Sequence, residues 1–156
     1  MANVNSPYGF QFQRNIAAGA SVVTNRFITA SNAALSPGDP VVLASGLAKL
    51  AGITSTALFG VSLESVTATA ATKKSALIIP ALKEYLFAAQ CSGTTNITQG
   101  YIGKKVGIAG TTNGKLTINV AATTSVLQIV GLKPGSSFGT YAELLFVICK
   151  SAYQST

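Results

Sequence analysis

The sequence predicts an all-β fold: a small antiparallel β-barrel or sandwich of about eight to ten short strands, with an extended N-terminal arm. Three observations predict it. Short runs of β-forming residues recur along the chain, each closed by a cluster of Gly, Pro, Asn or Ser. Asn113-Gly114 stands between two such runs, and this dipeptide favours a two-residue type I′ hairpin turn. No long segment carries a helical period; a single helical turn at 15–20 and another at 119–125 are the most that is expected. At 156 residues the chain fits one domain, which composition divides into an arm at 1–20 and a single β-rich domain at 21–156. A chain of this size buries roughly 68–70% of its unfolded surface, so it needs neither disulfide nor metal to fold.

The arm is rich in Asn, Pro and Gln and carries Tyr8, Phe10 and Phe12 at alternate positions. In an extended segment that spacing puts all three rings on one side, as suits an arm lying on its own domain or on a neighbour. Burial in the domain's own core is the competing expectation for Phe10 and Phe12. Residues 21–29 then read as a strand through Val22, Val23, Thr24, Phe27 and Ile28. Pro37-Gly38-Asp39-Pro40 is a turn by side-chain chemistry, 40–44 a strand, Gly46 the next turn, and 47–53 the returning arm of a hairpin. Over 58–64, Phe59, Val61 and Leu63 share one face, expected to meet the core, while Leu58, Gly60, Ser62 and Glu64 share the other.

The Thr- and Ala-rich stretch 65–75 is expected to be a loop ending in Lys73-Lys74. Strands at 76–80 and 83–91 are separated at Pro80, which cannot donate to a central ladder. In the second, Tyr85, Phe87, Ala89 and Cys91 occupy one face and Glu84, Leu86, Ala88 and Gln90 the other, and 92–99 reads as polar linker. The hairpin at 106–120 turns at Asn113-Gly114, with Leu116, Ile118 and Val120 alternating with Lys115, Thr117 and Asn119. Strands at 126–132 and 143–150 complete the set, the former closed by Lys133-Pro134-Gly135-Ser136-Ser137.

Charged residues are only 10% of the chain, against about 25% in a typical soluble domain. A surface built from Ser, Thr, Asn, Gln and Gly lacks the charge that keeps monomers apart, and suits extensive contact with other polypeptides. The charges present are lopsided, with 11 Lys+Arg against 4 Asp+Glu and a net charge of +7, for a pI near 9.7. Only Lys73-Lys74 and Lys104-Lys105 are adjacent pairs. The balance fits either nucleic acid or an acidic protein surface. No segment has the apolar length of a membrane helix, and the N-terminus lacks the basic start and apolar core of a signal peptide, so synthesis in a cytosol-like compartment is expected. Cys91 and Cys149 are expected to be buried, reduced thiols.

The chain has no His, which removes the commonest general base and the commonest transition-metal ligand. Asp39, Glu64, Glu84 and Glu143 fall in separate predicted elements, with Asp39 expected to bond local backbone and Glu64 to be a solvated strand end. The glycine-rich Gly103-Lys104-Lys105-Val106-Gly107 stretch lacks the order of a phosphate-binding loop. No enzymatic activity, cofactor or metal is therefore expected. Tyr101 near Lys104-Lys105, and Tyr85 near Lys83, are the sparse aromatic–cation pairings a nucleic-acid surface would use.

Four stretches resemble the head-decoration, or capsid cement, proteins of tailed bacteriophages. The opening Asn5-Ser6-Pro7-Tyr8-Gly9-Phe10 is similar to their Asn-Ser-Pro-x-Gly-Phe start, and Gly38-Asp39-Pro40-Val41 to their Gly-Asp-Pro-Val segment. Phe59-Gly60-Val61-Ser62-Leu63-Glu64 resembles a Gly-Val-x-x-Glu strand; Gly131-Leu132, Phe138-Gly139-Thr140-Tyr141 and the apolar run after them resemble the closing pattern. The resemblance implies a β-rich structural protein, made in the host cytoplasm, that binds the major capsid protein on the outside of the mature shell as a symmetric oligomer, a trimer before a dimer. The expected contact residues are Pro7, Tyr8, Phe10, Phe12 and Arg14 of the arm, with Lys133, Phe138 and Tyr141. The competing readings are another minor virion component, of tail or head surface, and a basic β-barrel binding single-stranded nucleic acid, the less favoured partner.

Overall fold

A computed structural model describes residues 3–17 and 21–151. The larger of its sheets has six strands in the order β1 (Gln11–Asn15), β9 (Tyr85–Gln90), β13 (Glu143–Ile148), β12 (Leu127–Leu132), β10 (Lys105–Ala109) and β11 (Thr117–Asn119). A second has five, in the order β2 (Asn25–Ile28), β8 (Ser75–Pro80), β6 (Gly60–Ser62), β4 (Pro40–Ala44) and β5 (Leu47–Leu50). A third pairs only β3 (Ala34–Leu35) with β7 (Val66–Thr67). All pairings between strands are antiparallel. The all-β expectation therefore holds, as a sandwich of short strands. The two large sheets curl without closing into barrels. One isolated bridge brings Ile118 to Cys91, just past β9, and another brings Ala48 to Thr29, just past β2.

Two cores result. The main one joins Phe10, Tyr85, Phe87, Leu127, Ile129, Leu144, Phe146 and Ile148 of the six-stranded side to Val61 and Ile79 of the other sheet. The second, with Val41, Phe59, Ala76 and Ile78, lies under Leu35 and Val66 of the two-stranded pair. Strand β6 stands in the middle of the five, and Phe59 just before it enters the second core whereas Leu58 and Val61 enter the main one, which corrects the one-faced reading of 58–64. Leu58, Phe59, Val61 and Ser62 are all buried, whereas Leu63 is exposed. Gly60 is required there, because a Cβ would collide with the Ile79 carbonyl and the Ile78 side chain. Strand β9 is likewise buried on both faces. Pro80 closes β8, and the chain crosses from one large sheet to the other before β9.

Several expectations need correction. The strand expected at 21–29 is confined to Asn25–Ile28. Within 92–99, Ile97 is fully buried and exchanges backbone hydrogen bonds with Gly139 at 2.9 and 3.0 Å. The helical turn expected at 119–125 does not form, since that stretch is the end of β11 followed by a turn; of the one expected at 15–20, Asn15 ends β1 and Ala17 lies in a bend, and residues 18–20 lie outside the described residues. Cys91 is buried, and burial pushes its thiol up to about 11, but Cys149 is only partly buried. The arm is not separate from the domain over 10–15, since Phe10 enters the main core and β1 is a strand of the larger sheet.

Candidate interaction surface

The outer face of the six-stranded sheet brings the two sequence-expected contact segments together. Along β9, Tyr85, Phe87 and Ala89 face the main core, so Leu86, Ala88 and Gln90 lie on the opposite face of the sheet, where they too are covered. Gln90 is the one amide side chain of that strand and organises what lies above it. Its Nε2 donates to the carbonyls of Val4 at 2.6 Å and Tyr141 at 3.3 Å, and its Oε1 accepts the Ser6 N–H at 3.1 Å. Asn3 completes the clasp. Its Nδ2 donates to the carbonyls of Ser137 at 2.9 Å and Thr140 at 3.0 Å, and its Oδ1 accepts the Ser137 N–H at 3.2 Å. A polar cleft of about 260 Å³ lies between Asn3, Ser6, Gln90, Ser136 and Glu143, and satisfied hydrogen bonds hold its walls.

Beside the clasp, Lys133 Nζ bonds Glu143 at 2.9 Å, donates to the Tyr8 hydroxyl at 3.2 Å, and sits 4.8 Å from the centre of the Tyr8 ring. Burial raises the Tyr8 pKa, with the Lys133 bond opposing, so the phenol stays protonated. The bond to Glu143 raises Lys133, so the ammonium stays charged. Residues 125 positions apart are thus tied by one cation.

The structure sorts the expected contact residues. Pro7, Tyr8 and Tyr141 are half-buried at the clasp, and Phe138, 44% exposed, projects from the 133–141 loop. Arg14 is exposed on β1. Phe10 is corrected: it is 1% exposed, packed edge-on against Phe146 with ring centres 4.8 Å apart, so it belongs to the chain's own core. Phe12 is half-buried against Tyr85 and Phe87. The positive φ of Gly9 breaks the expected alternation, so the three rings do not line one side of an extended arm. Sequence reasoning missed Asn3, Gln90, Ser136 and Glu143. A lone Gln in an otherwise apolar strand was the available signal for Gln90, because a buried amide requires partners.

The electrostatics are one-sided. Asp39 is fully buried, where desolvation raises its pKa against two backbone N–H bonds. Glu64 is not a free strand end, since it binds Arg26 at 2.8 Å and accepts the Leu77 N–H at 2.9 Å. With Glu143 held by Lys133, Glu84 is the one exposed carboxylate outside a salt bridge, whereas nine of eleven cations stand outside one among the described residues. Lys104 lies 4.5 Å over the Tyr101 ring, but Tyr85 is buried and its hydroxyl accepts the Val23 N–H at 2.7 Å, so it offers no face for stacking beside Lys83. Among the described residues no three His, Cys, Asp or Glu gather to hold a metal ion, and no helix is long and apolar enough to cross a membrane. No family model, no curated protein and no solved structure matches the chain.

Proposed function

We propose that this protein is a structural component that binds the outer surface of a mature phage capsid and stabilises it, as a symmetric oligomer with a trimer favoured. The observation that carries the reading is the surface. It is poor in charge, almost free of unpaired carboxylates, and organised around a clasp that presents Tyr8, Lys133, Phe138 and Tyr141 together. A cation-rich, weakly charged exterior complements an acidic protein lattice. Binding the assembled lattice in preference to free subunits stabilises it by mass action. An oligomer that touches several subunits gains avidity from modest single contacts. No reaction is needed, and the protein would reside on the virion surface.

The test is co-sedimentation of purified protein with capsids of the phage that encodes it, together with capsid melting. Saturable binding and a raised capsid melting temperature are expected; a saturating excess with no binding and no shift overturns the reading. Binding to another part of the particle, seen by imaging, would instead support the minor-component reading. The Lys104–Tyr101 contact is the observation that favours single-stranded nucleic acid, and oligonucleotide binding that weakens steeply with salt is its signature.

A further inference from the structure

The clasp closes one end of the outer face of the six-stranded sheet; the other end is open. Across five strands the register sets Arg14, Leu86, Val147, Gln128 and Lys105 side by side in one row. Next to it run Gln11, Ala88, Leu145 and Gly131. Directly opposed residues share a face, and the neighbours Phe87, Phe146, Leu127 and Val106 all point into the main core, so both rows face outward. Ala88 is fully buried beneath them, so the accessible floor is Leu145 and Val147, both half-buried; Leu86, 3% exposed, shows only where the trough deepens. Val130, at the bulge between Ile129 and Gly131, is 50% exposed. A Cβ at Gly131 would meet nothing within 4 Å, so the trough stays open beside Leu145. Towards β1 it deepens into a hollow of about 200 Å³ between Gln13, Arg14, Leu86, Pro134 and Leu145.

The rim is cationic. Arg14 and Lys105 take part in no salt bridge among the described residues, and neither row holds a carboxylate. The nearest along β13, Glu143, is already held by Lys133. Four strand spacings separate the two cations, on the order of 19 Å.

We propose that this trough docks an extended acidic segment of a partner protein, laid across the strands. Its apolar residues rest on Leu145 and Val147, and a carboxylate at each end meets Arg14 and Lys105. Charge selects this occupant. A second copy has Glu84 as its one exposed carboxylate outside a salt bridge among the described residues and cannot meet both cations, whereas an acidic segment can, and its carboxylates give the site its specificity. The apolar floor in turn rewards a segment with aliphatic residues between its charges. The inference goes beyond capsid binding, because it specifies a surface and a partner chemistry whatever particle supplies the segment.

The test titrates the full-length, isotopically labelled protein with the peptide acetyl-Glu-Gly-Leu-Val-Leu-Glu-amide and follows its NMR shifts at low and high salt. Saturable shifts are expected at Leu86, Gly131, Leu145 and Val147, weakening as salt rises. Arg14→Glu combined with Lys105→Glu, both at exposed positions, is expected to weaken binding by about tenfold or more and to admit the peptide with Lys in place of each Glu. Gly131→Leu fills the trough without changing charge and is expected to weaken binding too, with thermal melts confirming that both variants fold. Absent or non-saturable shifts, shifts confined to another face, or equal binding of the Lys peptide to the unaltered protein overturn the proposal. So does an oligothymidylate that shifts the same rows when the peptide does not. Failure here with capsid binding intact removes only the trough; the reverse removes only the capsid.

Discussion

The β4–β5 and β10–β11 hairpins end in tips of similar composition that fold differently. Ser45-Gly46 joins Ala44 to its partner Leu47 as a two-residue loop, with φ of 50° and 77° at its two residues. That is type I′ geometry, which needs positive φ at both positions. A Cβ on Gly46 would meet nothing within 4 Å. Asn113-Gly114 carries the stronger type I′ signal yet declines it: Gly114 has φ 70°, Asn113 does not turn positive, and the strands pair only from Ala109 and Thr117 outward. The difference lies in what the tip touches. Asn113 Nδ2 donates to the Ala34 carbonyl at 2.6 Å, and the Gly114 N–H donates to Asp39 Oδ1 at 2.6 Å. A free tip follows local preference; a docked tip takes the shape its dock requires.

Breaking the dock has the largest expected effect. Asp39 accepts the Ser36 N–H at 2.8 Å as well as that of Gly114, and it is fully buried. Asp39→Ala leaves two donors without partners and is expected to cost about 2–4 kcal/mol in denaturant unfolding. Asp39→Asn is expected to cost nearly as much despite its matching shape, because its amide NH₂ must face one of those N–H groups. A loss below about 1 kcal/mol for Asp39→Ala would show that the dock does not shape the turn. The carboxyl also leaves a pH signature. Its folded pKa is raised above the ordinary 3.8, so the native state holds this proton more tightly than the unfolded chain. Its contribution therefore makes stability fall as pH rises from that value through the folded pKa, and then levels off. Asp39→Ala should lack this component when the two pH–stability curves are subtracted.

The second way to sharpen the comparison is the same substitution in both tips. Alanine at a left-handed position costs about 1 kcal/mol or more. Gly46→Ala adds no contact and should lose about that much. Gly114→Ala also places its Cβ 3.2 Å from the Ser36 Cβ, tighter than ordinary contact, at the residue whose N–H bonds Asp39, so about 2 kcal/mol is expected. Equal losses, measured by thermal or denaturant unfolding, would deny any energetic difference between the tips.

The same division explains what could be read from the sequence. Strands set by local pattern, such as Pro40–Ala44, Tyr85–Gln90, Leu127–Leu132 and Glu143–Ile148, lie where turns and β-formers placed them. Asp39's bond to Ser36 was legible because it is local; its bond to Gly114, 75 residues on, was not. Two-residue strands such as Ala34–Leu35 and Val66–Thr67 carry no periodicity of their own, and exist because each gives the other a ladder over the second core. The contact surface was half legible. Aromatic and basic residues marked the arm and the 133–141 loop, but only tertiary pairing puts Lys133 on Tyr8 and seats Phe10 inside. The Arg14–Lys105 row is a product of register across five strands and leaves no local trace.

The smallest expected effect runs in the stabilising direction. Ser45 occupies the first position of a type I′ turn with φ 50°, in a left-handed conformation that Asn tolerates better than Ser. Ser45→Asn should therefore stabilise the protein by a few tenths of a kcal/mol, on the order of other turn optimisations at solvent-exposed sites. Changing Asn113 to Ser should do the opposite and cost more, because it removes the donor to Ala34 rather than a conformational preference. If both exchanges instead shift the unfolding midpoint by equal and opposite amounts, turn propensity alone governs the two tips and the docked conformation of Asn113-Gly114 has another cause.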